Sequence, residues 1–303
     1  MLSVQNLCKA YGPIQAADRV SFHIRSGCLT ILAGADGAGK STIIKMILGL
    51  EAKDSGTIRL QGHPVEKDYS RITRITGYMP ERFSLYSDLS VEENMNFFAD
   101  IQKVPVERRE KLKHQLLERT GMLPFRKRRT GALSGGMKQK LALSTILLSS
   151  PQVILLDEPT TGVDPLSRIE FSNIIDQLKK EGKSLVASTP YLEEAEKGDQ
   201  IIFLRKGKKI KEGPIRELKE NFPARIYQIR PKEDVFAVMK QLQEKEELKK
   251  KVYMKGGVIK YMQRGPTSLL PSIPSKEMKE VEPTLEDIYL YYERSSDESS
   301  PAG

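Results

Sequence analysis

Leu29-Thr30-Ile31-Leu32-Ala33-Gly34-Ala35-Asp36-Gly37-Ala38-Gly39-Lys40-Ser41-Thr42 is the stretch whose reading decides the fold. Leu29–Ala33 is a short apolar run, the signature of a buried strand, and it runs straight into glycines. Ile43 to Leu50 then reads as a helix stopped near Gly49. Gly34 and Gly39, followed by Lys40 and Ser41, fit the phosphate-loop pattern, and strand-before, helix-after is the context that pattern requires. Glycines let backbone N–H groups curl around phosphate oxygens, and the helix N-terminus adds its partial positive charge. Gly34, Ala35, Asp36, Gly37, Ala38, Gly39, Lys40, Ser41 and Thr42 are therefore the expected nucleotide-binding set. Lys40 would bridge the outer phosphates and Ser41 would ligate Mg²⁺.

A second signal lies far downstream. Val153-Ile154-Leu155-Leu156-Asp157-Glu158-Pro159 is an apolar strand that ends in two acids. Asp157 at the strand end suits Mg²⁺, directly or through water. Glu158 suits a general base toward attacking water. Alone, the pair would read as a helix-capping cluster; beside a phosphate loop it reads as chemistry. Between the two signals lies Leu133-Ser134-Gly135-Gly136-Met137-Lys138-Gln139-Lys140, just before the apolar Leu141–Leu148 helix. Ser134 and two glycines at a helix start make another anion site. One lobe needs only one phosphate loop, so Ser134, Gly135, Gly136 and Met137 are expected to grip the nucleotide of a neighbouring subunit.

Outward from these motifs the chain organises as an α/β protein. Val20, Phe22 and Ile24 alternate with polar residues as a half-buried strand does, and Ser55–Gly62 reads as a turn and strand. Val91 to about Ser149 is helical and charged. Strands return at Val153–Leu156, Ser184–Ala187 and Ile201–Leu204, with a helix between the first two. Beyond about Phe222 the character changes: Ala224–Ile229 and Val258–Met262 read as strands around a charged helix at Val235–Lys250. Pro266 to Pro274 reads as loop, and Thr284 caps a short final helix. The expected domains are residues 1–221, with a helical lobe at about 82–150, then a small α+β extension at 222–294 and a disordered polar tail at 295–303.

The three motifs, in this order and spacing, resemble the ATP-binding subunits of ABC transporters over about residues 2 to 218. That resemblance implies a P-loop NTPase cassette with a β/α core, an antiparallel β subdomain and a helical subdomain, binding ATP and Mg²⁺. It makes Tyr11 the aromatic that stacks on adenine and Asp164 part of the family's D-loop. The tail, with Glu282-Pro283-Thr284-Leu285-Glu286-Asp287-Ile288, is similar to that of the drug- and polymer-exporting branch. The motif segments look closest to the first cassette of a bacterial tandem-cassette multidrug exporter.

Two positions depart from the family. Its glutamine, which contacts Mg²⁺ and water, is expected after Gly77-Tyr78-Met79-Pro80, where Glu81 stands. Its switch histidine is expected in Ser188-Thr189-Pro190-Tyr191, where Pro190 stands. Proline has neither a side-chain donor nor an N–H. Locally, Pro190 reads as a first-turn helix proline with Thr189 as cap. Glu81 and Pro190 together imply weakened hydrolysis with nucleotide binding kept.

The bulk numbers suit this reading. The 303 residues are 39% hydrophobic and 29% charged, and no apolar run reaches the length of a bilayer span. Cys8 and Cys28 are the only cysteines and have no metal-ligand spacing, so a reducing cytoplasm fits. The formal charge is +9, with basic runs at Arg126–Arg129, Arg205–Lys209 and Lys249–Lys251. None is interleaved with aromatics, so no nucleic acid is expected; they read as solvated faces, or as faces toward anionic lipid head groups. The expected partners are a separate membrane permease, contacted around Phe83–Phe98, and a second cassette on a different chain, at the cytoplasmic face of a bacterial membrane. The competing functions are a nucleotide-binding regulatory subunit with little turnover, and a soluble ABC protein that does not transport.

Overall fold

Short apolar runs form the spine of the first of two compact units, Met1–Glu212 and Gly213–Gly303. The computed structural model describes residues 2–65, 69–82, 84–232, 234–249, 251–264 and 275–298. The strands that begin in the first unit are β1 (Leu2–Tyr11), β2 (Ile14–Ile24), β3 (Leu29–Ala33), β4 (Ser55–Leu60), β5 (His63–Pro64), β6 (Thr76–Met79), β7 (Val153–Leu156), β8 (Ser184–Thr189), β9 (Gln200–Arg205) and β10 (Lys208–Pro214). Its helices are α1 (Lys40–Ile47), α2 (Tyr69–Ile75), α3 (Val91–Ile101), α4 (Val106–Arg119), α5 (Gly135–Leu147), α6 (Pro165–Lys180) and α7 (Leu192–Ala195).

Two sheets result. One has the order β10-β9-β3-β8-β7-β6, the other the order β2-β1-β4-β5. In the first, β3 runs parallel to both β8 and β9, and β7 parallel to both β8 and β6. β3 and β7 are buried at every position, as expected of parallel strands covered on both faces. In the second, β1 pairs antiparallel with β2 and β4, and the inward Leu2, Val4, Val20, Phe22, Ile24, Ile58 and Leu60 share one core with α1.

The register decides where chemistry can occur. Ala33 lies opposite Thr189, Leu156 opposite Ala187, and Met79 opposite Leu156. Four neighbouring strands therefore end together. The glycine loop after Ala33, Pro190 after Thr189, Asp157 and Glu158 after Leu156, and Glu81 just after Met79 all leave one edge of the sheet. That is the crevice position at which open α/β sheets bind ligands.

The second unit holds α8 (Ile215–Glu220), β11 (Ala224–Pro231), α9 (Val235–Glu244), α10 (Glu246–Lys249), β12 (Val252–Lys255), β13 (Val258–Arg264), β14 (Ser275–Val281) and α11 (Leu285–Glu298). Its antiparallel sheet has the order β12-β13-β11-β14. Val238, Met239 and Leu242 of α9 pack on Ile229, Val252, Ile259 and Tyr261, while Leu290 and Tyr291 of α11 pack with Ile226, Tyr253 and Met262. The unit begins at Gly213, earlier than the expected boundary at residue 222, because α8 buries Ile215 and Leu218 and packs with α11. The last helix runs to Glu298, into the stretch 295–303 that composition marks as disordered. Thr284 caps it: its Oγ1 accepts from the Asp287 N–H at 3.3 Å. The expected loop at 266–274 and residues 299–303 lie outside the described residues.

Candidate functional site

The glycine loop is held open by its neighbours. Gly39 sits at φ +99°, and a Cβ there would come within 2.0 Å of the Ala16 carbonyl oxygen; at Gly34 it would come within 2.3 Å of the Leu204 oxygen. Neither position tolerates a side chain. Gly39 is the N-cap of α1 but has no side chain to cap it, and no acid lies in the first turn. The helix thus presents its N-terminus to the loop with no acid of its own first turn in the way, which suits a phosphate.

Lys40 is almost fully buried and points back into the loop. Its Nζ donates to the Gly34 and Ala35 carbonyls at 2.9 and 3.2 Å and pairs with Glu158 Oε1 at 3.2 Å; Asp36 lies at 4.0 Å. Ser41 Oγ donates to Asp157 Oδ1 at 2.9 Å. The loop and the acidic strand end, 116 residues apart in sequence, thus meet through one hydroxyl. A hydroxyl beside a buried carboxylate is the hard oxygen set that suits Mg²⁺.

Ser188, at the end of β8, was not singled out by the sequence. It is fully buried, donates to Asp157 Oδ1 at 2.7 Å and accepts from the Glu158 N–H at 2.8 Å. That N–H belongs to a residue in the left-handed region, at φ +47°. A non-glycine residue there costs energy, and the Ser188 bond offsets part of it. Tyr78 is the other residue missed. Burial pushes its phenol up to about 12, with the Asp157 charge, a hydrogen bond to Asp157 and the Glu81 charge adding to the shift. It stays protonated at neutral pH as a further donor to the Asp157 carboxylate. The available signals were a lone serine and a lone tyrosine beside strands that end at the crevice, which is weak evidence in sequence alone.

Tyr11, Asp36, Gly37, Gly39, Lys40, Ser41, Thr42, Glu81, Glu158 and Pro190 line one open cleft of ≈ 480 Å³, together with Ile14, Ala16, Thr161 and Tyr191. That volume lies in the usual range for small-molecule sites, roughly 300–1,000 Å³. Tyr11 is 44% exposed at the cleft edge, with Lys9 over its ring at 5.0 Å. Desolvation raises its phenol above the usual value, and Glu51 raises it further.

Pro190 is not a first-turn proline. β8 continues through Thr189, which pairs with Ala33, and the cap of α7 is Tyr191, so Pro190 sits one residue before the cap. Thr189 caps nothing in α7, although its Oγ1 does accept the Tyr191 N–H at 3.0 Å. It also donates to Glu194 Oε2 at 3.1 Å. The sheet's register claimed Thr189 before the helix could.

Ser134, Gly135, Gly136 and Met137 do not line this cleft. Ser134 is the N-cap of α5, its Oγ accepting the Met137 N–H at 3.3 Å, and Ser134 and Gly135 are exposed. Gly136 is buried against α6, where a Cβ would meet Ser167 Oγ at 2.2 Å. Asp164 caps α6, accepting the Ser167 N–H at 2.9 Å; that bond holds its carboxyl below the usual range.

A strand, a glycine loop closed by Lys40, and an acidic strand end bonded to the loop's serine define a P-loop nucleoside triphosphatase. Residues 17–161 match the family described as "ABC transporter". The chain is 41% identical over 204 residues to the probable multidrug ABC transporter ATP-binding protein YbhF of Escherichia coli, covering 67% of this chain and 35% of that one. It is 34% identical to the uncharacterized ABC transporter ATP-binding protein YxlF of Bacillus subtilis, covering 77% of each. Among solved structures, the dimeric bacterial ABC transporter cassette MJ0796 matches with a TM-score of 0.64 and 26% identity, over 71% of this chain and 98% of that one. The same cassette is known in a post-hydrolysis state with ADP and Pi. The chain belongs to the ABC transporter family, as an ATP-binding ATPase cassette. It spans about a third of the length of the YbhF proteins it matches. No helix among the described residues is long and apolar enough to cross a membrane.

Proposed function

We propose that this chain is the ATP-binding subunit of an exporter whose own site turns ATP over slowly. The observation that carries this is the rim of the cleft: Glu81 and Pro190 line the same space as Lys40, Ser41 and Glu158. Binding rests on parts that are all present. Tyr11 would stack on adenine, the N–H groups of the 34–42 segment would hold the phosphates, and Ser41 and Asp157 would hold Mg²⁺, which supplies charge neutralisation at the phosphates when bound. Lys40, now satisfied by two carbonyls and Glu158, would turn to the phosphate oxygens. This exchange would free Glu158 Oε1 to take a proton from water. Ser188 and Tyr78 would keep the Asp157 carboxylate fixed meanwhile.

The chemistry is weakened at two points. Glu81 places a carboxylate where the family pattern has a neutral amide, near phosphate oxygens of the same sign. Pro190 offers no donor to charge developing on the terminal phosphate; loss of one such donor lowers turnover by about 10²–10³-fold. Export is supported by the name of YbhF, a probable multidrug transporter protein. The partners are a membrane permease, contacted through the 83–98 stretch at the cytoplasmic face of a bacterial membrane, and a second cassette, with Ser134–Met137 reaching its nucleotide. No nucleic acid takes part. Single-site ATP turnover, measured with the partner cassette's own site disabled, tests the proposal. Turnover at a rate usual for the family would overturn it. ATP binding with no integral membrane protein accompanying the chain from its native host would favour the regulatory reading instead.

A further inference from the structure

The basic runs of the sequence meet different fates in the fold. In the 205–209 run, Lys208 pairs with Asp18 at 3.5 Å and Lys209 with Glu212 at 3.1 Å. The run Arg126-Lys127-Arg128-Arg129 is different. All four residues are exposed, and among the described residues none of them makes an ion pair. The Arg129 charge adds a small part to the lowering of the Glu93 carboxyl, which is held below its usual range chiefly by the Ser90 backbone bond.

This loop is not a loose tether. The Phe125 N–H donates to the Met122 carbonyl at 3.0 Å and the Arg128 N–H to the Phe125 carbonyl at 2.8 Å. The Arg128 and Arg126 carbonyls accept from the Val91 and Glu92 N–H groups at 3.0 and 2.9 Å. The fold therefore holds four like charges on consecutive residues, none of them in an ion pair among the described residues, against their mutual repulsion. Beside them Phe125 is 36% exposed, next to an exposed Pro124. A fixed cluster of four cations with an aromatic at its edge has the composition of a surface that meets anionic lipid: charge draws it to the head groups and the ring enters the interface. Duplex nucleic acid would use the cations and leave the ring exposed.

Position agrees with composition. The Thr130 N–H donates to the Leu89 carbonyl and the Gly131 N–H to the Ser87 carbonyl, both at 2.8 Å. The loop is thereby stitched to the start of α3, inside the 83–98 stretch assigned above to the permease contact. We propose that the 123–129 loop is a docking surface for anionic phospholipid head groups, seating the cassette on the bilayer beside its permease. The placement rests on the permease reading; the binding does not.

The test uses the full chain alone, sedimented with phosphatidylglycerol vesicles at low salt. An exposed cation near an anionic surface contributes about fivefold in partitioning. Replacing all four (Arg126→Gln, Lys127→Gln, Arg128→Gln, Arg129→Gln) should lower partitioning by on the order of 100-fold or more. A control replaces four scattered exposed lysines (Lys111→Gln, Lys180→Gln, Lys206→Gln, Lys240→Gln), taking the formal charge from +9 to the same +5. It should stay within a few-fold of the parent. ATP affinity should be unchanged in both, reporting an intact cassette. Should the quadruple variant misfold, Lys127→Gln and Phe125→Ser each give an independent few-fold loss. Equal losses in loop and control variants would overturn the proposal, as would parent binding to neutral phosphatidylcholine vesicles as tight as to phosphatidylglycerol. Equally tight binding to duplex DNA at the same salt would reassign the loop to nucleic acid. Failure of a permease to accompany the chain would sink the permease contact and leave the vesicle result standing.

Discussion

Lys40 is the residue on which the site turns, because its charge already serves three acceptors before any nucleotide arrives. Lys40→Ala removes the main side-chain cation of the loop and leaves Glu158 without its partner beside the phosphates. ATP affinity should fall by roughly 100-fold, the scale of charged hydrogen bonds lost together; unchanged affinity by equilibrium titration would remove the site assignment. Glu158→Gln should leave binding intact and, where this site hydrolyses at all, trap a closed pair. Pro190 allows a sharper experiment. Since it precedes the α7 cap and lies outside the helix, Pro190→His disturbs no helical hydrogen bond. Turnover at this site should rise by part of the roughly 10²–10³-fold that one such donor is typically worth, less than all of it while Glu81 remains. The double change with Glu81→Gln should exceed either single one. Flat turnover in all three, with ATP still bound, would mean that Pro190 does not limit turnover at this site. Most of these residues were legible because phosphate chemistry constrains type and spacing locally. Ser188 and Tyr78 were not: their role comes from the register that sets β6, β7 and β8 side by side, which no single segment encodes.

At the scale of elements, legibility followed burial. β3 and β7 stand out in the sequence because both faces are covered and every residue is apolar. β6 and β10 are the two edges of their sheet, and β12 and β14 the edges of theirs. Edge strands carry polar and charged residues, so Lys208–Pro214 and Ser275–Val281 read as charged runs rather than strands. β1 is central yet was missed for another reason. Its pairing with β2 slips at Val4/Leu7 and again at Leu7/Lys9, and Asn6 takes φ +48°, so the alternation that betrays a strand is broken. The helical lobe carries a testable device of its own. α3 begins in a reciprocal box: Ser90 Oγ accepts the Glu93 N–H at 3.2 Å, and Glu93 Oε2 accepts the Ser90 N–H at 2.7 Å. Ser90→Ala should cost about 1 kcal/mol, read as a lower denaturant midpoint. The backbone bond from Ser90 holds the Glu93 carboxyl below its usual value. Its stabilisation is therefore present above the unfolded carboxyl pKa, roughly 4.3, and lost as pH falls through the folded value. Protection of the Glu93 and Asn94 amides, corrected for the intrinsic pH dependence of exchange, should fall on acidification in the parent and change less in Glu93→Gln. In the second unit, Lys260 Nζ lies 2.9 Å from Asp287 Oδ2, both side chains nearly inaccessible. Lys260→Ala would strand a buried carboxylate and should destabilise this unit by about 3–5 kcal/mol, less what the Thr284 N–H and hydroxyl bonds to Asp287 retain. A melting temperature equal to the parent's would show that the pair contributes nothing.

At the scale of the whole molecule, the arrangement of motifs is incomplete in one chain. The cleft gathers Tyr11, the glycine loop, Glu81, Glu158 and Pro190, while Ser134 and Gly135 are exposed outside it at the start of α5. A second cassette placed head to tail would let each chain's Ser134–Met137 segment reach the other's nucleotide. Two outcomes then differ in chemistry. A homodimer would carry Glu81 and Pro190 in both sites, and both would lack the donor. A heterodimer would confine them to one site, while this chain's Ser134-Gly135-Gly136 completes the site of a partner that keeps its own donor. The second arrangement leaves one site at full rate without any compensation in the slow one. Native mass measurement of the assembled transporter should therefore show two different cassettes. In that assembly, Ser134→Glu in this chain should depress turnover at the partner's site, by placing a carboxylate against phosphate, while leaving ATP affinity of the isolated chain unchanged. Two identical copies that turn ATP over at full rate would refute the asymmetric unit. A loss of ATP affinity in the isolated Ser134→Glu chain would mean that this segment serves its own cleft.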